Sequence, residues 1–346
     1  MLDDVQVLRQ RDPHGALEVA ASQWRQAEFE PTIDRPEHDG RQITKLVVTG
    51  MGGSALAALV AKTWLTNEMT LPFEVVRGYD LPNYVDKNTL VIASSYSGNT
   101  EESLSALDQA IRVGAQTVVL AAGGQLLERA ARADMCSVSL PAGLQPRMTV
   151  IYGLKALIKI FAHFDLVSVD KLTEITQLSA WLQAESQAWL ASVATDKNYA
   201  KQLALHGAGK TAIIYGGALT APLAYKWKIS WNENAKNTAF WNEYPEFNHN
   251  EFMGWTSHPV EKPFAVFDLL SNLEHPQIIK RFEVSDRLLS GRRPKATVVE
   301  LQGDSLIKQL LWGCILADFV SIYLAIINGV DPTPVDLIEK LKKELS

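Results

Sequence analysis

A buried strand, a tight loop and the start of a helix follow one another in the segment Val91-Ile-Ala-Ser-Ser-Tyr-Ser-Gly-Asn-Thr-Glu-Glu-Ser103. An apolar run breaks into hydroxyl side chains and a glycine, and helical periodicity resumes after them. Ser95, Ser97 and Thr100 offer hydroxyl donors, and the first helical turn offers unpaired backbone N–H groups at the positive end of its dipole. The segment therefore predicts an anion site, most simply for a phosphate. An ordinary Ser/Thr cap followed by two glutamates is the alternative.

A second loop of the same kind lies upstream, in Lys45-Leu-Val-Val-Thr-Gly-Met-Gly-Gly-Ser-Ala-Leu56. Here too a strand runs into a helix. Gly52 and Gly53 let the backbone approach a ligand closely, and Ser54 adds a hydroxyl at the helix start. Two such loops from one parallel sheet can converge on a single phosphorylated metabolite.

The same glycines also allow a dinucleotide site. Gly50, Gly52 and Ala55 fit the spacing G-x-G-x-x-G/A. The next predicted strand, Phe73-Glu-Val-Val-Arg77, ends in arginine where an NAD site requires an acidic residue. An NADP-dependent reductase therefore remains an alternative that rests on this loop alone.

Composition limits the classes of protein. The chain has 346 residues, 47% of them hydrophobic, and a formal net charge of −6. This predicts a globular protein with a sizeable core and argues against nucleic acid as a partner, because no basic block is present. Cys136 and Cys314 each stand alone in apolar surroundings and predict buried thiols, with neither a disulfide framework nor a zinc site.

Two further segments concern location. The first ten residues are mixed and polar, which is unlike a secretory signal and predicts a cytoplasmic protein. Residues 310–330 are apolar enough to suggest a membrane span, but Asp318 lies near their centre. We therefore expect a buried helix, in the core or at a dimer interface, and no membrane partner.

Strands and helices alternate along the first half of the chain, which predicts a parallel sheet flanked by helices. The predicted strands lie near residues 45–49, 73–77, 89–94, 116–121 and 136–140. Residues 150–206 read as helical. A further strand and glycine loop follow in Thr211-Ala-Ile-Ile-Tyr-Gly-Gly-Ala-Leu-Thr220, with a helix that Pro222 can open. Later strands are predicted at 263–269 and 296–301.

The fold class that follows is α/β, with two domains that are each a parallel sheet flanked by helices, an αβα sandwich. The predicted limits are an N-terminal sheet domain over 1–150, a helical connector over 151–206, and a C-terminal sheet domain with C-terminal helices over 207–346.

Gly50-Met-Gly-Gly-Ser54 together with Ser94-Ser-Tyr-Ser-Gly-Asn-Thr100 resembles the sugar isomerase (SIS) domain. Over nearly the whole chain, the order and spacing of motifs resemble the bifunctional phosphoglucose/phosphomannose isomerases. The other motifs that carry this resemblance are Leu144-Gln-Pro-Arg147, Trp231-Asn-Glu-Asn-Ala-Lys236, Pro245-Glu-Phe-Asn-His-Asn-Glu251 and Leu337-Ile-Glu-Lys-Leu-Lys342.

The resemblance implies two SIS-type domains and an aldose–ketose isomerase that acts on hexose 6-phosphates without a metal or other cofactor. The substrate phosphate is expected on the hydroxyls of Ser54, Ser95, Ser97 and Thr100 and on the backbone of Gly52 and Gly53.

Four further residues receive catalytic roles from the resemblance. Glu233 is the base that moves a proton between C2 and C1 through a cis-enediol, a task suited to a carboxylate. Arg147 stabilises the enediolate charge. His249, whose side chain titrates near neutrality, opens the sugar ring and enters the site from the neighbouring subunit of an obligate dimer. Lys342 assists ring opening, although Lys340 and Lys343 crowd the same terminal helix.

Each of these residues also has an ordinary structural interpretation. Glu233 can be a solvated helix residue, Arg147 a surface arginine at a helix start, and Lys342 part of a solvated charged face. His258 and His275 are assigned such structural or surface roles.

One position departs from the family pattern. Members that accept mannose phosphate carry a threonine seven residues before the catalytic lysine, where this chain has Val335, with Thr333 two places earlier. Activity on mannose 6-phosphate is therefore less secure than activity on glucose 6-phosphate. A non-catalytic sugar-phosphate sensor, or an isomerase of another phosphosugar, is the competing class; a sensor needs neither Glu233 nor His249.

Overall fold

A computed structural model describes residues 1–257 and 263–345. His258 lies outside the described residues. The chain forms two compact units: a first-sheet unit, Gln23–Trp181, and a second-sheet unit, Met1–Ser22 with Leu182–Ser346. The helical segment predicted as a connector thus contributes to both units. The domain limits near residues 150 and 206 stay a prediction.

Within the described residues the strands are β1 Lys45–Thr49, β2 Phe73–Val76, β3 Thr89–Ser95, β4 Gln116–Ala121, β5 Ser137–Ser139, β6 Thr211–Gly216, β7 Ala239–Glu243, β8 Phe264–Leu270 and β9 Thr297–Glu300.

The α-helices of the same residues are α1 Val5–Arg11, α2 Ala16–Ser22, α3 Gly52–Trp64, α4 Glu101–Arg112, α5 Gly124–Arg132, α6 Val150–His163, α7 Asp170–Thr176, α8 Ser179–Ser186, α9 Tyr199–Gly207, α10 Ala221–Glu233, α11 Glu251–Gly254, α12 Pro276–Leu288, α13 Leu306–Asn328 and α14 Asp336–Leu345. Short 3₁₀ helices span Gln23–Glu28, Pro146–Met148, Gln187–Trp189 and Glu246–His249.

The first sheet is parallel and has the strand order β2-β1-β3-β4-β5. Its strand β3 is buried along its whole length, as expected for a strand covered on both faces. Leu104, Leu107 and Leu126 bring α4 and α5 onto one face. The step from β1 to β2 runs the other way across the sheet, so a right-handed crossover puts α3 on the opposite face. The loops after β1 and β3 therefore meet at the carboxyl edge.

The second sheet repeats this design with the strand order β7-β6-β8-β9, again parallel. In this comparison β6 takes the position of β1, and β8 that of β3. The predicted α/β class, with two helix-flanked parallel sheets, is confirmed. The strand β7 was missed: it lies at the edge of its sheet and only its first residue is buried, so it lacks a continuous apolar run.

The long apolar segment forms α13, which has the length and composition to cross a membrane, but 94% of an 18-residue apolar window within it is buried inside the protein. Asp318 is fully buried at its centre and lies 2.6 Å from the Lys226 ammonium of α10, with Ser230 also bonded to the same carboxylate oxygen. A buried carboxylate is tolerated when it is paired and hydrogen-bonded in this way. The expectation of a buried core helix is confirmed.

A second buried carboxyl, Asp268 on β8, has a different environment. Burial raises its pKa to about 7, an effect that Arg293 opposes. Among the described residues, its Oδ1 atom has no hydrogen-bond partner. The Arg293 guanidinium, itself buried, lies 3.5 Å from Asp286.

We expect this carboxyl to make stability depend on pH. Because its pKa is higher in the folded chain than in the unfolded one, its contribution is full below about pH 4 and is lost as the pH rises through 7. The loss is of order 4 kcal/mol, at about 1.4 kcal/mol for each of the roughly three pH units between the two pKa values. Urea unfolding between pH 5 and 8 measures it, and Asp268→Asn should flatten the profile. An unchanged slope in the variant would contradict this assignment.

Candidate active site

The glycine loop after β1 leads directly into α3, whose first residues are Gly52 and Gly53. N–H groups at this position have no acceptor within the helix, so they are available to an anion. Gly52 has a φ of +48°, in the left-handed region that favours glycine. A Cβ atom added at Gly53 would lie 2.5 Å from the carbonyl carbon of Pro146 and 2.6 Å from the nitrogen of Arg147. The close approach at Gly53 is therefore made by the chain itself, which brings the Arg147 segment against the loop.

Three hydroxyls cluster in the loop after β3. Ser95 Oγ lies 2.7 Å from Thr100 Oγ1 and 3.4 Å from Ser97 Oγ. The N–H of Gly98 donates to Ser95 Oγ at 3.2 Å, which fixes the turn. Ser95 is buried and Ser97 is exposed, so the cluster reaches from the sheet edge to the surface.

Ser54 joins the two loops, because its hydroxyl accepts a hydrogen bond of 2.9 Å from the N–H of Tyr96. The phenol of Tyr96 in turn donates to the carbonyl of Pro141 at 2.7 Å and accepts from the N–H of Leu144 at 3.2 Å. Tyr96 thus ties the hydroxyl loop to the segment that ends in Arg147. Sequence reasoning missed this role, since only the fold brings these segments together.

Arg147 lies in the 3₁₀ helix Pro146–Met148, immediately before α6. Its side chain is 1% exposed, and its Nη1 donates to Gln145 Oε1 at 3.2 Å. This excludes the alternative of a surface arginine. A buried guanidinium beside two loops that carry hydrogen-bond donors is suited to hold or stabilise negative charge.

Gly53→Ala should damage this arrangement. The added methyl group meets backbone atoms of Pro146 and Arg147, so the segment must move, at a cost of about 1–3 kcal/mol. Melting temperature and kcat/KM should both fall. Gly78→Ala is the matched control, because a Cβ there meets no heavy atom within 4 Å. Equal behaviour of the two variants would contradict the prediction.

In the second-sheet unit, Glu233 is the last residue of α10 and lines a cavity of about 780 Å³. Val335 lines the same cavity, as do the first residues of α14. Val335, the position where the chain departs from the family pattern, therefore lines the same cavity as the candidate base Glu233. Thr333 is partly buried nearby in the chain, and its N–H donates to Asp331 Oδ1 at 2.9 Å.

Lys236 links the segments that line this cavity. Its ammonium donates to the carbonyls of Glu233 at 2.7 Å and Pro334 at 2.8 Å, and lies 3.3 Å from that of Pro332. Its φ is +51°, a left-handed conformation that is uncommon for lysine. The sequence contains no signal for this role, because the carbonyls of Pro332 and Pro334 are distant in the chain.

The two faces of the second sheet carry different elements. On one face, the ring of Trp231 in α10 lies 5.3 Å from that of Phe267. On the other, Phe247 lies 4.5 Å from Tyr215. Tyr215 is paired in register with Asp268, which follows Phe267, and successive side chains of a strand point to opposite faces. Hence α10 and the 3₁₀ helix that carries Phe247 cover opposite faces.

Glu233 and His249 are thereby kept apart within one chain. His249 ends the 3₁₀ helix Glu246–His249 and is exposed. The elements that carry the two residues therefore lie on opposite faces of the second sheet.

Lys342 lies on the exposed helix α14 and pairs with Glu339 at 2.8 Å. Lys340 and Lys343 are exposed on the same helix. His275 has a structural role, as expected, because its Nδ1 accepts from the N–H of Gln277 at the start of α12.

Comparison with known proteins identifies the family. Residues 41–155 match the SIS domain, and residues 196–345 match the bacterial phospho-glucose isomerase C-terminal SIS domain. A bifunctional phosphoglucose/phosphomannose isomerase from Caldicellulosiruptor bescii is 35% identical over 88% of this chain and 90% of its own length. The chain belongs to the bifunctional phosphoglucose/phosphomannose isomerase family. A relative of the same name from Aquifex aeolicus is 32% identical over 87% of this chain and 90% of its own.

Solved structures agree on the fold of this isomerase family member. The C-terminal domain of glucosamine-fructose-6-phosphate aminotransferase from Francisella tularensis matches with a TM-score of 0.67 and 15% identity, over 93% of this chain and 96% of the other. Both predicted SIS-type domains are thus confirmed. The dinucleotide interpretation of the first glycine loop gains no support from the family.

Proposed function

We propose that this protein interconverts glucose 6-phosphate and mannose 6-phosphate with fructose 6-phosphate, by ring opening and proton transfer through a cis-enediol, without a metal ion. Family membership at 35% identity over most of both chains is the observation that carries this proposal. The buried arginine and the hydroxyl loops of the first-sheet unit supply the chemistry that a sugar phosphate requires.

The substrate phosphate binds at the carboxyl edge of the first sheet. The N–H groups of Gly52 and Gly53 and the hydroxyls of the two loops are its donors, and the hydroxyls are those of Ser54, Ser95, Ser97 and Thr100. Neutral donors suit this site because they hold the phosphate without a fixed counter-ion. Hydroxyls that bond each other at 2.7 Å can rotate toward an incoming oxygen.

Isomerisation moves one proton between carbon atoms and one between oxygen atoms. Glu233 removes the proton from C2 of the open aldose, and the electron pair forms the C1–C2 double bond while the C1 oxygen takes up a proton to give the enediol. Glu233 then returns its proton to C1 as the C2 hydroxyl loses its own proton and becomes the ketose carbonyl. Arg147 stabilises the negative charge that develops on the enediolate oxygens. A substrate deuterated at C2 should lose part of its label to water, as measured by NMR. Complete retention would favour a hydride shift and contradict the role of Glu233.

Ring opening requires a second subunit. Because Glu233 and His249 lie on opposite faces of one sheet, we propose a homodimer in which the partner subunit's His249 completes the site. Lys342 assists it, and for this the ion pair with Glu339 must open. The cytoplasm is the proposed location.

Val335→Thr should raise activity on mannose 6-phosphate relative to glucose 6-phosphate by about threefold to tenfold, roughly one hydrogen bond to a sugar hydroxyl. Val335 shares its cavity with Glu233, so a hydroxyl there is placed near the candidate base. The ratio of the two kcat/KM values measures the effect. Thr333→Val is the comparison variant: if it alone abolishes mannose 6-phosphate activity, Thr333 supplies the hydroxyl instead.

A second candidate is an enzyme for another phosphosugar. A D-glucosamine-6-phosphate 4-epimerase from Sulfolobus acidocaldarius is 31% identical over 66% of this chain and 70% of its own length. Turnover of glucosamine 6-phosphate with no turnover of either hexose 6-phosphate would establish this alternative. Binding of sugar phosphates without any turnover would indicate a sensor.

A further inference from the structure

The second sheet has its own glycine loop, Gly216–Thr220, between β6 and α10. It occupies the position that the phosphate loop occupies in the first sheet, because β6 and β1 hold the same place in the strand order. The proposed function leaves this loop without a role.

A carboxylate from the chain already fills this loop. Glu274 lies between β8 and α12, and its Oε1 accepts a hydrogen bond of 2.7 Å from the N–H of Leu219. A Cβ atom added at Gly217 would lie 2.3 Å from the same oxygen. Glu274 is 4% exposed, and among the described residues its Oε2 has no hydrogen-bond partner.

The position of Glu274 corresponds to that of the hydroxyl loop. In the first sheet, the segment after β3, which carries the hydroxyls, contacts the loop after β1 through Tyr96 and Ser54. In the second sheet, the segment after β8 brings a carboxylate to the loop after β6. Burial raises the pKa of Glu274, while backbone N–H groups of residues 218–220 lower it. Those N–H groups favour the charged carboxylate, although burial outweighs them and leaves the pKa raised.

We propose that the loop Gly216–Thr220 is a latent phosphate site which the carboxylate of Glu274 occupies permanently, so that each chain binds one phosphate and not two. The carboxylate substitutes for the ligand at the start of α10 and excludes external anions by charge and by volume. That the wild-type chain binds one phosphate rests on the proposed function of the first sheet.

Glu274→Ser should open the site. Serine removes the charge, vacates the loop and supplies a hydroxyl of the kind found in the first sheet. Glu274→Gln is the matched control, since it removes the charge but keeps the volume. Equilibrium dialysis with radiolabelled inorganic phosphate should give one phosphate per chain for the wild type and for Glu274→Gln, and two for Glu274→Ser.

The outcomes separate the two proposals. A folded Glu274→Ser that binds only one phosphate, or a wild type that binds two, overturns the latent site. A wild type that binds none overturns the proposed phosphate site of the first sheet instead.

If Glu274→Ser does not fold, the variant Ser95→Ala/Thr100→Ala provides the test. Its phosphate binding should weaken at least tenfold, and binding at wild-type strength would place the phosphate outside the first sheet's hydroxyl loop. If this double variant still has a tight phosphate site, and adding Glu274→Gln changes the affinity of that site, the site includes Glu274. Such a result would overturn the permanent occupation of the second loop by Glu274.

Discussion

Glu233→Gln should reduce kcat by about 10²- to 10⁴-fold on both hexose 6-phosphates, the range that a positioned general base contributes. Glutamine matches the shape of glutamate but cannot accept the C2 proton. Glu233 lies at the end of α10 in a cavity and not in the hydroxyl cluster that we propose holds the phosphate. The dissociation constant for glucose 6-phosphate should therefore change little.

Glu300→Gln is the control, because Glu300 is an exposed glutamate on β9. Its kcat and its dissociation constant should equal those of the wild type. Steady-state kinetics and equilibrium binding on the same preparations separate turnover from affinity. Turnover near the wild-type rate in Glu233→Gln would remove Glu233 from the proposed role.

Two inactive variants should restore activity when they share a dimer. If each site takes Glu233 from one chain and His249 from the other, a mixed dimer of Glu233→Gln and His249→Ala contains one intact site and one doubly altered site. Random assembly makes half of the dimers mixed, and each has one of two sites intact, so about a quarter of wild-type activity is expected.

Co-expression of the two chains with different affinity tags, followed by purification on both, enriches the mixed dimer and should raise this value to about half. The control replaces His249→Ala with His275→Ala. A mixed dimer of Glu233→Gln and His275→Ala should show only the activity that the His275→Ala chain already has. No recovery in the mixed dimer would mean that both residues act within one chain, contrary to the placement on opposite faces.

The first sheet could be predicted from the sequence because its central strands β1 and β3 contain apolar runs followed by a glycine or hydroxyl loop. The bounds of β1 and β4 are those predicted, and α6 begins at Val150, where the helical stretch was predicted to start. The candidate phosphate loops could be recognised for the same reason: the residues proposed to bind an anion are adjacent in the chain. Local sequence patterns predict local structure.

What the sequence could not provide depends on distant contacts. Tyr96 bonds to Leu144 across 48 residues, Lys236 to the carbonyl of Pro334 across 98, and Glu274 to Leu219 across 55. Each is an ordinary polar residue in its local segment. The close contact at Gly53 has the same origin, since Pro146 is distant in sequence.

The central claim is tested most directly by measuring fructose 6-phosphate formation from glucose 6-phosphate and, separately, from mannose 6-phosphate, with excess EDTA present. We expect turnover of both substrates, with the rate on glucose 6-phosphate the higher because of Val335, and no loss on adding EDTA. Absence of turnover on both, in a preparation that still binds sugar phosphate, would contradict the proposed isomerase.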